Sequence, residues 1–226
     1  TGPSVTEKLA KEDEKNWGTP TPEQEKYTAQ TGIQGNNGHN FINEYITKNL
    51  IDEKGYLLSA PLKNPIVSPI APALQEKLIQ YITELLSSYP EGTRFLTEKK
   101  VINLKTKGYT PGTVDFKAII PGVNNTIAKV DTLDWKFIAL NKEKNSDIPF
   151  YKTKKWGNQM SEYVAIDRSY GLKHEQIGKS RMIPFVVAYN YNKNGDITSI
   201  KSLEIGNIDP TKEDIIYLLP VPSTEE

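Results

Sequence analysis

Two neighbouring stretches decide the fold: Gly-Thr-Val-Asp-Phe-Lys-Ala-Ile-Ile at residues 112–120, and Thr-Ile-Ala-Lys-Val-Asp-Thr-Leu-Asp-Trp-Lys-Phe-Ile-Ala-Leu at residues 126–140. Both are rich in β-branched and aromatic residues, and the Pro-Gly-Val-Asn-Asn sequence between them is typical of a turn. They therefore predict two β-strands joined by a short connection at 121–125.

These strands carry charged residues at positions where their side chains can meet. Side chains alternate between the two faces of a strand, so Asp134 and Lys136 lie on one face. Trp135 lies on the other face, and so does Asp131, three residues before Asp134. If the two strands pair, Asp115 joins Asp134 and Lys136.

Helices are predicted on the N-terminal side of this strand pair. Apolar residues recur at spacings of three and four over 39–49 and 72–88, and a further strand pattern covers 95–102. The Gly- and Asn-rich segment 32–38 predicts a turn. Residues 1–30 are polar and predict a linker or a loosely docked arm.

On the C-terminal side, a Lys-rich loop leads to a predicted helix at 155–170. An apolar strand at 182–191 and its partner at 197–205 follow, joined by an Asn-Lys-Asn-Gly-Asp hairpin turn. Residues 220–226 predict a frayed tail. The order of helix, helix, three strands, helix and two strands predicts an α/β domain over 31–219, bordering on α+β, with helices flanking a mixed central sheet.

Composition excludes several classes of protein. The 226 residues contain 28 Lys and Arg and 28 Asp and Glu, so the chain is not a strongly basic nucleic-acid coat protein. The absence of cysteine excludes disulfide scaffolds and thiolate zinc sites, and two histidines are too few for a multi-histidine zinc site. Without an apolar signal core or spanning segment, we expect a cytoplasmic protein of a bacterial host or phage, neither secreted nor membrane-bound, excised from or processed out of a longer chain.

Asp115, Asp134 and Lys136 together suit phosphodiester hydrolysis. Hard divalent cations prefer oxygen ligands, and Mg²⁺ is commonly held by one or two carboxylates plus waters and substrate phosphate. Such a metal activates water and neutralises charge in the transition state, while a lysine beside it can orient the water or stabilise negative charge. Two carboxylates this close repel, so a cation or a raised pKa is expected there.

Three further features accompany the Asp-x₁₈-Asp-x-Lys pattern. Gly38 and His39 open the first predicted helix, and Glu98 lies in the strand before the Gly-x-x-Asp sequence. Gln159 and Tyr163 form a Gln-x-x-x-Tyr pair, one helical turn apart, after the lysine strand. With these motifs in this order, the chain resembles the PD-(D/E)XK nuclease superfamily, and within it the RecB-like branch, over about residues 32–205.

This resemblance implies a restriction-endonuclease-like core and a metal-dependent deoxyribonuclease, either an exonuclease or an endonuclease, that uses Mg²⁺ or Mn²⁺. It also implies a role for each matching residue: metal ligation by His39, Asp115, Asp134 and the backbone carbonyl of Trp135, catalysis by Lys136, and positioning of the motif or contact with DNA by Gln159 and Tyr163.

The chain departs from the family pattern in its first helix. The family often has a glutamate four residues after the histidine, whereas this sequence has Asn43 there and Glu44 one residue later. The cysteine-ligated iron–sulfur cluster of some RecB-like nucleases cannot form, and no helicase motor motif is present. Any motor belongs to a partner protein or to flanking domains of a larger chain.

Ordinary structural roles compete with each of these assignments. The carboxylates and Lys136 can also be ordinary solvated residues on a strand, and His39 can be a helix cap. Gln159 and Tyr163 can lie at a helix surface and at the edge of the core. Glu98 can belong to a structural ion pair. The lysine cluster near the third helix either contacts DNA phosphates or forms a solvated face; its members are Lys152, Lys154 and Lys155.

Two other functions remain open at this point. The chain can be a catalytically silent nuclease-fold module that binds nucleic acid or protein. It can also be a structural or cargo domain of a larger phage or mobile-element protein. Metal binding separates a purely structural domain from a nuclease site, because a ligand that binds only the native state raises its stability.

Overall fold

The computed structural model of the chain describes residues 4–7, 11, 21–102, 104, 111–140, 148, 150–208 and 216–220. Within them, six strands form one sheet in chain order, and all neighbours are antiparallel except the parallel pair β3 and β4. The predicted α/β fold with a mixed central sheet is confirmed. The strands are β1 (Arg94–Ile102), β2 (Pro111–Pro121), β3 (Ile127–Leu140), β4 (Ile177–Tyr191), β5 (Ile197–Ile208) and β6 (Ile216–Pro220).

The longest helices cover the two faces of this sheet. Helix α1 (Pro22–Tyr45) continues into a π-helical turn (Ile46–Leu50) and lies with α2 (Pro72–Ser87) on one face. Helix α3 (Phe150–Ser169) packs on the opposite face and forms the crossover that the parallel pair β3 and β4 requires.

Apolar side chains fill the space between each helix layer and the sheet. The α1–α2 side buries an aromatic and aliphatic core that includes Phe41, Ile46, Leu78, Phe116, Trp135 and Phe185. The α3 side buries a second core that includes Val5, Val114, Ile138, Trp156, Met160 and Met182. Side chains of β3 and β4 alternate between the two cores, because neighbouring residues along a strand point to opposite faces of the sheet.

The expected turn at 32–38 is wrong, because these residues lie inside α1. None of its glycines has a positive φ, and of the three only Gly38 is closely packed. A Cβ on Gly38 would lie only 2.3 Å from the ring of Phe137 on β3, so only glycine lets the helix approach the strand there. His39 therefore lies well within a helix rather than at its start.

The remaining boundaries agree with the sequence except in a few places. Helix α2 and the hairpin at 192–196 are confirmed, while α3 and β4 begin earlier than expected and β6 was not predicted. Within the polar N-terminal region, residues 22–30 are helical and Val5 is buried. Residues 141–147 and 149 of the predicted Lys-rich loop, and residues 221–226, lie outside the described residues. No described helix is long and apolar enough to cross a membrane.

Candidate functional site

The site lies where β2 and β3 separate. Their last paired residues are Phe116 and Leu133, and the next residue outward on each strand is an aspartate, Asp115 or Asp134. Beyond this point Asp115 Oδ2 accepts a hydrogen bond from the backbone N–H of Trp135 at 2.9 Å. The predicted pairing of the two strands is confirmed, and it brings the two carboxylates opposite each other.

One lysine faces these two carboxylates. Lys136 Nζ lies 2.8 Å from Asp134 Oδ2, and only 4% of the Asp134 side chain is exposed. Burial raises the pKa of Asp115 well above its usual value, and the neighbouring Asp134 carboxylate raises it further. Negative charge therefore exceeds the positive charge of Lys136 when both carboxylates are ionised.

A chain of hydrogen bonds fixes the position of Lys136. Lys136 Nζ donates to Gln159 Oε1 at 2.7 Å, and Gln159 Nε2 donates to the Tyr163 hydroxyl at 3.1 Å. The Tyr163 hydroxyl in turn donates to the backbone carbonyl of Thr113 at 3.0 Å. Burial raises the pKa of Tyr163, so its hydroxyl stays protonated. The Gln-x-x-x-Tyr pair thus joins α3 to both strands, which the one-turn spacing anticipated.

His39 reaches the same site from the other helix layer. Its ring makes an edge contact with Phe137, and its Nδ1 lies 3.4 Å from Asp115 Oδ2. Burial lowers the pKa of His39, although the Asp134 carboxylate opposes this shift. The imidazole is therefore neutral near pH 7, which is the form that binds metals. The close approach at Gly38 is what lets α1 deliver this side chain.

The chemistry of these donors suits a hard divalent cation, although the set is small. Among the described residues, no group of three or more His, Cys, Asp or Glu side chains is arranged to hold a metal ion. Two opposed carboxylates and a neutral imidazole are present. Oxygen donors with unbalanced negative charge fit Mg²⁺ or Mn²⁺.

Other acidic candidates lie away from this point. Asp131 faces the α2 side of the sheet, as predicted, and accepts a hydrogen bond from the Tyr89 hydroxyl at 3.0 Å. Glu44 is partly exposed and pairs with Lys48 at 3.6 Å. Glu98 is exposed at a left-handed position with φ of 47° and borders a different cavity. None of the three supplies a carboxylate to the Asp115–Asp134 pair.

A cavity of about 490 Å³ opens over the site. Of the predicted lysine cluster, Lys152 and Lys155 line it, whereas Lys154 is exposed outside it. Trp156 also borders the cavity, but it is buried in the core beneath α3. Sequence reasoning missed Thr6, Thr113 and Tyr151 in the lining. Of these three residues, only Thr113 had a signal in the sequence, because it lies within the Gly-x-x-Asp motif, two residues before Asp115.

No protein-family model, curated protein sequence or solved structure matches this chain. The interpretation of the site therefore depends on its geometry and on the order of its motifs.

Proposed function

We propose that this chain is a metal-dependent nuclease that hydrolyses phosphodiester bonds of DNA, with a restriction-endonuclease-like core of the RecB-like type. The observation that carries the proposal is the pair of opposed carboxylates served by a single lysine at the opening between β2 and β3. An unbalanced acidic site beneath an open cavity has the charge and the space for a divalent cation and a phosphate.

His39, Asp115 and Asp134 are the residues that would hold Mg²⁺ or Mn²⁺, together with the carbonyl of Trp135. When bound, the ion would supply Lewis acidity, lowering the pKa of a coordinated water and neutralising phosphate charge. The neutral state of His39 and the partly exposed carboxylate of Asp115 suit this role.

Lys136 would orient the attacking water and stabilise charge that develops on the phosphate. Two of its three ammonium N–H groups are accounted for by Asp134 and Gln159, which leaves a third for water or phosphate. Because Gln159 is itself held by Tyr163, the ammonium is positioned before substrate arrives, and such preorganised donors stabilise transition states strongly.

Lys152 and Lys155 would guide the DNA backbone toward the metal. Both line the cavity mouth, and phosphate contacts of this kind position nucleic acid without reading its sequence. A chain of zero net charge has few other means of holding DNA, so a partner protein or flanking domain would add affinity. We assign this activity to the cytoplasm of a bacterial or phage-infected cell.

Cleavage assays test the proposal directly. Linear and covalently closed circular DNA, single- and double-stranded, are incubated with Mg²⁺ or Mn²⁺ and with EDTA as control. Lys136→Ala should lower the rate about 10²–10³-fold, as removal of one transition-state donor does. Asp134→Ala should lower it at least as much, because it removes a proposed metal ligand. Lys201→Ala, an exposed lysine on β5, serves as matched control and should cleave as the wild type does.

The outcomes separate the competing functions. Cutting of closed circles identifies an endonuclease, and cutting of free ends alone identifies an exonuclease. Equal cutting by all variants indicates a contaminant and contradicts the site assignment. Metal binding without cutting by the wild type favours the alternative, a catalytically silent module that binds nucleic acid or protein.

A further inference from the structure

A second polar cavity lies on the opposite face of the sheet from Asp134. It has a volume of about 260 Å³ and is bordered by the C-terminal end of α2 and the first residues of β3 and β4. Three cationic side chains line it: Lys129, Lys179 and Arg181. The nuclease site uses none of them.

Strand alternation explains why these cations gather there. Leu133 and Ile183 enter the core beneath α1 and α2, and residues two and four positions earlier on each strand point to the same side. Helix α2 ends at Ser87, so it does not cover this end of the sheet. The sheet face beneath α1 and α2 therefore changes from apolar to basic just beyond the end of α2.

Asp131, the one carboxylate among the described residues of this lining, is already satisfied by other groups. Asp131 Oδ1 accepts a hydrogen bond from the backbone N–H of Lys179 at 2.7 Å, and Oδ2 accepts one from the Tyr89 hydroxyl. Gly178 makes this possible, since a Cβ there would lie 2.0 Å from Asp131 Oδ1. Within the described structure, Arg181 forms no ion pair with any carboxylate.

The end of α2 does not use these cations either. Its last carbonyls accept hydrogen bonds from the backbone N–H of Ser88, the Ser88 hydroxyl and the backbone N–H of Tyr89. Among the described residues that line the cavity, three cations against one hydrogen-bonded carboxylate leave an excess of two positive charges. That excess matches a phosphate dianion.

Neutral donors complete the lining. Burial raises the pKa of Tyr81 to about 12, so its hydroxyl remains a donor at neutral pH even though Arg181 lies close enough to lower that pKa. Asn207 on β5 adds an amide. A guanidinium and an ammonium group from β4, a second ammonium from β3 and a hydroxyl from α2 are suited to the tetrahedral oxygens of a phosphate group.

We propose that the cavity bounded by Tyr81, Lys129, Lys179 and Arg181 binds a phosphate group, carried either by a free phosphate or nucleotide or by the 5′ end of a DNA strand. This site is separate from the proposed metal site and does not depend on nuclease activity.

Calorimetric titration tests the site in EDTA at constant ionic strength. The probes are inorganic phosphate, AMP, and a 5′-phosphorylated oligonucleotide beside its 5′-hydroxyl counterpart. Arg181→Gln should weaken phosphate binding at least tenfold and Lys129→Gln less, whereas Lys201→Gln, exposed on β5, should bind as the wild type does. Lys136→Ala should also bind phosphate normally, which separates this site from the nuclease site.

The probes distinguish the two sources of the phosphate. A preference for the 5′-phosphorylated oligonucleotide over both AMP and inorganic phosphate assigns the site to DNA ends, and the reverse order assigns it to small phosphates. Melting temperatures identify any variant that has lost its fold, and Tyr81→Phe then provides a second, smaller substitution with an expected loss of binding. Unchanged affinity in Arg181→Gln and Tyr81→Phe, or no saturable phosphate binding by the wild type, would overturn the proposal.

Discussion

Two polar clusters lie two residues apart on the same strands, and they differ in charge balance. At one, Lys117 Nζ lies 2.5 Å from Asp167 Oδ1 on α3 and donates to the Thr132 hydroxyl at 3.2 Å. Both side chains of this ion pair are only 8% exposed. At the other, Asp115 and Asp134 face a single lysine beneath an open cavity.

One face of the sheet thus carries a balanced, closed cluster and an unbalanced, open one. The Lys117–Asp167 pair has one positive and one negative charge and is closed to solvent, so it has neither the charge nor the room for a ligand. The Asp115–Asp134 pair has an excess of negative charge when both carboxylates are ionised, and burial together with the Asp134 charge raises the pKa of Asp115. We infer that the first cluster anchors α3 to the sheet, and that the second is kept for a cation.

The largest expected effect comes from breaking the balanced cluster. Lys117→Ala should lower the free energy of unfolding by about 3–5 kcal/mol, because it leaves the buried Asp167 carboxylate without its partner. Lys136→Ala should lower stability by less, because Lys136 is itself partly exposed beneath an open cavity, where water can replace part of the lost partner of Asp134. Chemical denaturation of both variants measures the contrast. Equal losses in the two variants would remove the distinction between the clusters.

A smaller effect is expected from pH in the absence of metal. A carboxyl group whose pKa is raised in the folded state contributes stability below its unfolded pKa, about 3.9, and loses that contribution as pH rises through the folded pKa. The wild type in EDTA should therefore lose more stability than Asp115→Asn as the pH is raised from acidic to neutral. Parallel stability–pH curves for the two proteins would contradict the raised pKa.

The smallest effect should come from the hydrogen bonds that position Lys136. Gln159→Leu removes the acceptor of Lys136 and should lower the cleavage rate about tenfold, as expected for loss of about 1–1.5 kcal/mol of positioning. Tyr163→Phe, which keeps Gln159 bonded to the lysine, should lower it less. Single-turnover rates at saturating DNA measure both. A larger loss of cleavage rate in Tyr163→Phe than in Gln159→Leu would contradict the claim that Tyr163 acts through Gln159.

Local patterns predicted much of this arrangement. Period-two alternation placed Asp134 and Lys136 on one face and Asp131 on the other, and the one-turn spacing placed Gln159 and Tyr163 together. These features depend on strand and helix geometry alone, so a single sequence suffices for them.

Other features depend on contacts between distant segments. The glycines at 32–38 have the composition of a turn, but Gly38 is needed because Phe137 lies against it, a contact that spans about a hundred residues. Lys117 and Asp167 are equally distant partners, 50 residues apart. The burial of Val5 in the core beneath α3 likewise has no local signal in a polar N-terminal region.

Manganese binding in the absence of DNA tests the central claim most directly. Isothermal titration should show saturable Mn²⁺ binding to the wild type and a loss of at least tenfold in affinity in Asp134→Asn. Asp131→Asn is the matched control, because it alters a buried carboxylate on the same strand whose oxygens are already hydrogen-bonded, and it should bind Mn²⁺ as the wild type does. Absence of saturable binding by the wild type, or equal affinity in Asp134→Asn, would contradict the claim that the unbalanced cluster is a metal site.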